Sequence, residues 1–264
     1  RVTVVGAGPA GLECARVAAT AGHQVTVIDR EPATGATVRN WSSASGREPL
    51  ASIVDWLESE CRRLGVELQL GSEATADALA ALHDSGHEVV LCTGGRPAPT
   101  GCQIDAASLL AGLSAGTLEL PDGPVLVWDP VGGPVGVSVA ETLAGVRPVV
   151  FVTPDVIPGT LLSLTGDLAS ASTRLLQAGV DIRKRQVLRE VRRGEVELED
   201  RFTGARATVA AELAVDCGHR LASDELWRAT GEHLARAGDA VAPRSLHEAI
   251  LEGRRLGRAV GGFR

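Results

Sequence analysis

Gly6, Gly8 and Gly11 follow a run of β-branched residues, Val2-Thr3-Val4-Val5, and Asp29 closes a second such run from Val25. These residue types at these spacings can hold a dinucleotide. Gly6 lets the chain turn out of a strand. Gly8 leaves room for a pyrophosphate to approach the backbone, and Gly11 lets the following helix lie close to the sheet. That helix offers its free N–H groups and positive dipole end to the phosphates, and Asp29 can accept hydrogen bonds from ribose hydroxyls.

A second arrangement of the same kind starts at Pro124. Val125–Trp128 reads as a strand, Gly132, Gly133 and Gly136 as a glycine turn opening a helix, and Val149–Val152 as the next strand. Val131 takes the place of the first glycine of a GxGxxG motif, so the second turn is degenerate. No Arg or Lys follows in Val152-Thr153-Pro154-Asp155 to meet a 2′-phosphate, which favours NADH over NADPH there. Other reactive residue types suggest less. The six histidines, His23, His83, His87, His219, His233 and His247, have no metal-binding spacing and read as surface or loop residues. Ser42, Ser43 and Ser45 fall in a polar loop without a nucleophile elbow. Cys217 reads as a packing residue at a strand end. Arg244, at the start of the last helix, suits either a phosphate or flavin contact or plain solvation.

Composition bounds the class. With 264 residues, 44% of them hydrophobic, the chain can bury a sizeable core in one large or two small domains. No run approaches a membrane span and no signal-peptide pattern is present. A net charge of −7 argues against a nucleic-acid surface. The five cysteines form no CxxC pair, which argues against a disulfide framework, a zinc site or a local iron–sulfur site and suits a reducing, cytoplasmic setting. The chain has no methionine and opens on Arg1 directly at a strand, so the expectation is that N-terminal sequence has been removed.

The elements that must position these residues follow from periodicity. Residues 2–6 and 24–29 read as strands around a helix at 9–21, with 30–37 as a loop. Residues 47–64 have an amphipathic helical pattern, 66–70 alternate as a strand, and 75–83 look helical. Glu88–Leu91 is a strand leading into Thr93-Gly94. The Pro- and Gly-rich stretch 97–123 reads as a connection with at most a short helix. After the second βαβ unit come a helix at 167–178, a strand at 180–182, strands at 187–192 and 195–199 joined by a hairpin, an edge strand at 206–210 and a strand at 213–216. The last segment carries Gly238-Asp239 and a helix from Ser245, whose spacing to Glu248 is a capping box, to about Leu256.

Two glycine-turn βαβ units, each closed by a strand ending in glycine, with a terminal Gly-Asp before a helix, resemble the two-dinucleotide-binding-domain flavoproteins of the glutathione-reductase-like type. Gly46-Arg47-Glu48-Pro49-Leu50, Asp129-Pro130-Val131-Gly132 with Ala140-Glu141, and Gly238 through Gly253 are similar to one branch. That branch is the C-terminal half of the 2,4-dienoyl-CoA reductase and trimethylamine dehydrogenase group. The resemblance implies an α/β fold of two Rossmann-like domains, the second (103–221) inserted in the first (1–102 plus 222–264). It implies FAD, or ADP in its place, on Gly6, Gly8, Pro9, Ala10, Gly11, Asp29, Arg30, Thr93, Gly94, Gly238, Asp239 and Ser245. It implies NAD on Gly132, Gly133 and Gly136. The implied partner is an old yellow enzyme-like barrel with FMN and a 4Fe-4S cluster, fused or separate, and the implied activity is passage of reducing equivalents from NADH or NADPH. Hydride transfer between stacked rings needs no protein acid or base, so no catalytic residue is expected. An alternative within the group is a non-catalytic ADP-binding module. A plain NAD dehydrogenase leaves the repeat and the Gly-Asp end unexplained. Gly35-Ala36 stands where the group has Gly-Gly, and Asp29 where Glu is commoner.

Overall fold

A computed structural model describes residues 1–262. The chain opens with β1 (Val2–Val5), α1 (Pro9–Thr20), β2 (Val25–Asp29), α2 (Ala36–Ser42), α3 (Leu50–Arg63), β3 (Glu67–Leu70), α4 (Ala76–Asp84), β4 (Glu88–Leu91) and β5 (Gly95–Pro97). It continues through β6 (Ile104–Asp105), α5 (Ala106–Ser114), β7 (Val125–Trp128), α6 (Pro134–Ala144), β8 (Val149–Thr153), α7 (Leu168–Gln177), β9 (Asp181–Lys184), β10 (Gln186–Arg192), β11 (Glu195–Asp200), β12 (Arg206–Ala210) and β13 (Leu213–Asp216). It returns through β14 (Arg220–Ala222), α8 (Glu225–Ala229), β15 (Ala235–Arg236) and α9 (Leu246–Ala259). Two units result. The first comprises Arg1–Arg39, Pro49–Arg96 and the stretch from Arg220 on; the second comprises Asn40–Glu48 and Pro97–His219.

Unit 1 is built on a sheet of order β15-β4-β1-β2-β3, with every pair parallel. All of β1 is buried, as a strand covered on both faces must be, and its Val and Thr side chains suit that place. Leu12, Ala15, Val27, Val54 and Leu57 fill the core on one face. α9 lies against α1 at backbone distance. A Cβ on Gly253 would fall 2.1 Å from the Ala10 carbonyl oxygen, and one on Gly257 would fall 2.6 Å from that of Cys14. This pair of glycines one turn apart sets the second half of α9 against the first two turns of α1.

Unit 2 repeats the plan with the sheet order β6-β13-β7-β8-β9, again all parallel. β7, β8 and β9 take the places of β1, β2 and β3, and β13 takes the place of β4. α5, α6 and α7 cover one face through Leu109, Leu143 and Leu175 around Phe151. The antiparallel sheet β10-β11-β12 covers the other, where Val196 and Leu198 pack on Leu126, Val150 and Val152. The fold is thus two parallel Rossmann-like sheets, the second inserted in the first. Among the described residues no helix is long and apolar enough to cross a membrane.

The structure departs from the sequence reading at several points. Ala36, Thr37 and Ser42, expected in loops, belong to the helix α2, because burial of Val38 and a bond from Arg39 Nε to the Thr34 carbonyl (2.8 Å) supply what local propensity lacks. The stretch 97–123 holds the full helix α5, started by Asp105, whose Oδ1 accepts from the Ala107 N–H at 3.0 Å. α8 had no recognised pattern. Asn40–Glu48 packs with unit 2, where Arg47 Nε donates to Ser138 Oγ (2.7 Å) and the Ser45 N–H to Thr142 Oγ1 (2.9 Å). The loop from β7 to α6 spans five residues, 129–133, against three, 6–8, between β1 and α1. Asp129, not Val131, therefore stands in the place of Gly6. Its N–H donates to Val152 O (2.9 Å) as that of Gly6 donates to Ile28 O (2.8 Å).

Candidate functional site

The site in unit 1 is assembled by forced close approaches. Gly6 has φ +110°, and a Cβ there would lie 2.1 Å from the Cys92 carbonyl oxygen. A Cβ on Gly11 would lie 1.9 Å from the Gly6 oxygen. Gly8 differs, with φ −77° and nothing within 4 Å of a Cβ, so the fold itself does not demand glycine there. α1 starts at Gly8-Pro9 without a side-chain cap, whereas α4, α5 and α9 are capped by Thr75, Asp105 and Ser245. The N–H groups of Gly8, Ala10 and Gly11 consequently meet no acceptor among the described residues. Uncommitted donors at a helix N-terminus, with open space in front of Gly8, fit the pyrophosphate of FAD or ADP.

The distant parts of the chain converge here. Gly238 has φ +70°; its N–H donates to Glu252 Oε2 (2.8 Å), and a Cβ on it would lie 2.8 Å from that of Ala10. A Cβ on Gly95 would lie 3.3 Å from that of Asp239, which puts the Thr93–Gly95 turn beside the Gly238-Asp239 pair. Partial burial raises the Asp239 pKa, opposed by the Arg244 N–H and by the Arg220 and Arg244 charges. The Thr93 hydroxyl donates to the Ser223 carbonyl (2.6 Å).

Asp29 reaches back to the turn. Its Oδ2 accepts from the Ala7 N–H (2.5 Å) and its Oδ1 from the Glu31 N–H (2.8 Å), leaving lone pairs for ribose hydroxyls. Arg30 is largely exposed beside Glu31. Gly35 has φ +66° and is held by Val54, whose methyl would lie 2.5 Å from a Cβ there, while Ala36 opens α2. Ser245 Oγ caps α9 through the Glu248 N–H (3.2 Å), and Arg244 is ion-paired with Glu252.

Sequence reasoning missed the second layer. Glu13 is fully buried on α1 and takes Arg16 at 2.8 Å and Arg254 of α9 at 2.7 Å. Gly253 and Gly257 were also missed, though their spacing on one helix face was a visible signal. The histidines do not stay scattered, since the rings of His83 and His233 lie 5.1 Å apart. Even so, no cluster that could hold a metal occurs among the described residues. The five cysteines are free and their thiols are all raised by burial, Cys14 and Cys61 to about 12 and Cys92 and Cys217 well above the ordinary value. None has the low pKa of a nucleophilic thiol.

In unit 2, Gly132 (φ +70°) and Val131 turn their N–H groups onto Asp129 Oδ1, at 3.0 and 3.2 Å. A Cβ on Gly136 would lie 2.6 Å from Asp129 Cγ, so that glycine makes room for the carboxylate. Gly133 caps α6 as Gly8 caps α1.

The family model described as pyridine nucleotide-disulphide oxidoreductase matches residues 1–247. The chain is similar to N,N-dimethylglycine/sarcosine dehydrogenase of Chromohalobacter salexigens, at 30% identity over 97% of this chain and 43% of that protein. It is also 30% identical to the multifunctional alkene reductase/demethylase OYE of Caballeronia cordobensis, with the same coverage of 97% and 43%. Histamine dehydrogenase from Rhizobium sp. 4-9 matches 100% of this chain at a TM-score of 0.89 and 25% identity, using 44% of its own length. The chain therefore spans less than half the length of these relatives, and the part it matches is their FAD/NAD-binding region. Both the paired glycine-turn sheets and these matches make it a flavin-dependent oxidoreductase domain, and the chain belongs to the pyridine nucleotide-disulphide oxidoreductase family.

Proposed function

We propose that this chain is the nucleotide-holding module of a larger flavoenzyme, with the ADP half of FAD seated on the first glycine turn. The observation that carries this reading is the set of uncommitted N–H groups at Gly8, Ala10 and Gly11 on a helix start that has no cap of its own. Asp29 orients the ribose, and the helix dipole favours the phosphates. Thr93, Gly94 and the Gly238-Asp239 pair line the way toward the ribityl end. FAD, when bound, supplies a two-electron carrier, and the protein's part is to hold and orient it. The electron partner is an old yellow enzyme-like barrel carrying FMN and a 4Fe-4S cluster, fused to this chain or separate. Five free cysteines suit a reducing, cytoplasmic setting.

A second reading, ADP as a structural group in the same seat, is favoured by a specific observation. The groups at the ribityl end are bonded to one another: Arg244 to Glu252, the Arg244 N–H to Asp239 Oδ1 (3.4 Å), and Ser245 to the Glu248 N–H. The spectrum of the purified full chain separates the two. A flavin absorption band with FAD released on denaturation supports the first reading. A colourless protein that releases only ADP sinks it and establishes the second, and failure to bind either nucleotide overturns both.

Gly8→Ser tests the seat itself. Serine is a good N-cap and would bond an orphan N–H of α1, so stability should hold or rise by a few tenths of a kcal/mol. The side chain would stand where the phosphate approaches, and ADP affinity should fall about tenfold or more. Calorimetric binding and thermal melts on the same sample check this. A residue with a merely structural role would lose both together.

A further inference from the structure

Unit 2 copies the framework of unit 1 but uses its turn differently. α6, like α1, starts on Gly-Pro without a side-chain cap; the difference lies in the longer loop ahead of it. In unit 2 the Val131 and Gly132 N–H groups point inward to Asp129 Oδ1. Asp129 is fully buried, and its Oδ2 has no hydrogen-bond partner among the described residues. A buried carboxyl that accepts from backbone N–H groups ahead of a helix occupies, whether or not it holds a proton, donors that a bound anion would use.

The outer side of the turn is also covered. The Leu161 N–H donates to the Gly132 carbonyl (2.8 Å), and the Asp155 carboxylate would lie 2.8 Å from a Cβ on Gly132. Thr160 Oγ1 holds that carboxylate at 2.7 Å and is itself 3.4 Å, through its Cβ, from the same point. The ribose-binding acid is missing as well. Thr153 takes the place of Asp29: its Oγ1 accepts from the Asp155 N–H (3.2 Å) as Asp29 accepts from the Glu31 N–H, and Thr153 is fully buried. A pyrophosphate brought to this turn would meet carboxyl groups on both sides, with the Val131 and Gly132 donors already taken.

We propose that Asp129 closes unit 2 to nicotinamide dinucleotides by occupying the donors of the glycine turn from within, with Asp155 as the second barrier outside. Gly132, Gly133 and Gly136 then serve this internal carboxylate and its loop rather than NAD, and the preference for NADH over NADPH read from residues 152–155 has no site to act on. The proposal does not depend on which nucleotide unit 1 holds.

The test uses the full chain labelled with ¹⁵N and titrated with ADP, NADH and NADPH, each to about 1 mM, the upper end of usual cofactor affinities. ADP is expected to move the amides of Gly8–Gly11, which reports on unit 1 alone. NADH and NADPH are expected to leave the amides of Val131–Gly136 unmoved. Asp129→Gly combined with Asp155→Asn is expected to gain at least about tenfold in NADH response at those amides. Unchanged unit 1 amides and an intact ADP response verify that this variant is folded. If Asp129→Gly does not fold, Asp129→Ala with Asp155→Asn frees the same two N–H groups and is expected to move in the same direction. Saturable NADH or NADPH shifts at Gly132–Gly136 of the wild type overturn the proposal. So does a folded double variant as silent in unit 2 as the wild type.

Discussion

Replacing Arg16 and Arg254 together by methionine is expected to destabilise the chain by about 3–5 kcal/mol, and Glu13→Gln in that background is expected to return much of the loss. The Glu13 side chain is 1% exposed, on the face of α1 that meets α9. Burial alone would raise its pKa. Hydrogen bonds and charge from Arg16 and Arg254 outweigh burial and hold it below the ordinary carboxylate value. Methionine keeps the apolar stem of each arginine but leaves the carboxylate buried with no counter-charge. The carboxylate must then take up a proton or draw water into the helix contact. Glutamine removes the charge at nearly constant shape, so recovery isolates stranded charge from lost packing. Urea unfolding of the four variants in this cycle checks it. A loss below about 1 kcal/mol in the double variant would place Glu13 among ordinary surface carboxylates. The site feels the same change, because Arg254 shares α9 with Gly253 and with Glu252, which holds the Gly238 N–H. The pH response follows from the depressed Glu13 pKa. The stabilisation is present above the unfolded carboxylate value and is lost as pH falls through the folded one.

Local sequence carried the elements whose signal is itself local. The β-branched runs of β1 and β7, the Gly-Pro starts of α1 and α6 and the Ser245 cap all read correctly because a strand, a turn or a cap is decided within a few residues. The elements that went unread depend on tertiary partners. α2 is held by burial of Val38, and Asn40–Glu48 joins unit 2 through Arg47 and Ser138, which are far apart in sequence. The degenerate second turn is the instructive case. By sequence spacing, Val131 replaced a glycine. In the structure the loop is longer than its counterpart, and the residue at the strand end is Asp129. A gap in register of this kind is invisible to motif spacing, and it brings a buried carboxyl into the turn that takes the Val131 and Gly132 N–H groups. In unit 1, Gly6, Gly11, Asp29 and Gly238, which meet around the first turn, were legible in the sequence. What was not legible was that Asp29 also braces the loop through Ala7, or that two glycines of α9 press on α1.

Asp129→Asn is expected to make the chain more stable relative to the wild type as pH rises, with the whole change falling between about pH 4 and pH 7. Burial pushes the Asp129 pKa from 3.8 up to about 7; the Gly132, Val131 and Gly133 N–H groups oppose the shift, and the Asp155 charge adds to it. The folded wild type therefore keeps a proton that the unfolded chain releases. Its stability from this group is complete below the unfolded value and drains away as pH rises through the folded one, by at most about 1.4 kcal/mol per pH unit. The amide of the Asp129→Asn variant can still accept from the Val131 and Gly132 N–H groups but has no charge to desolvate. The difference between variant and wild type should grow by about 2 kcal/mol or more across that window and be flat above and below it. Glu13, Asp216 and Asp239 titrate in both proteins and cancel in the difference. Chemical denaturation of both proteins at intervals from pH 4 to pH 8 gives the curve. A difference that stays level would mean that the Asp129 carboxylate is charged in the fold at ordinary cost, solvated by its nest of N–H groups. A rising one would show a carboxylate that the turn tolerates only by surrounding it closely, and a turn so committed has few donors to offer a second anion.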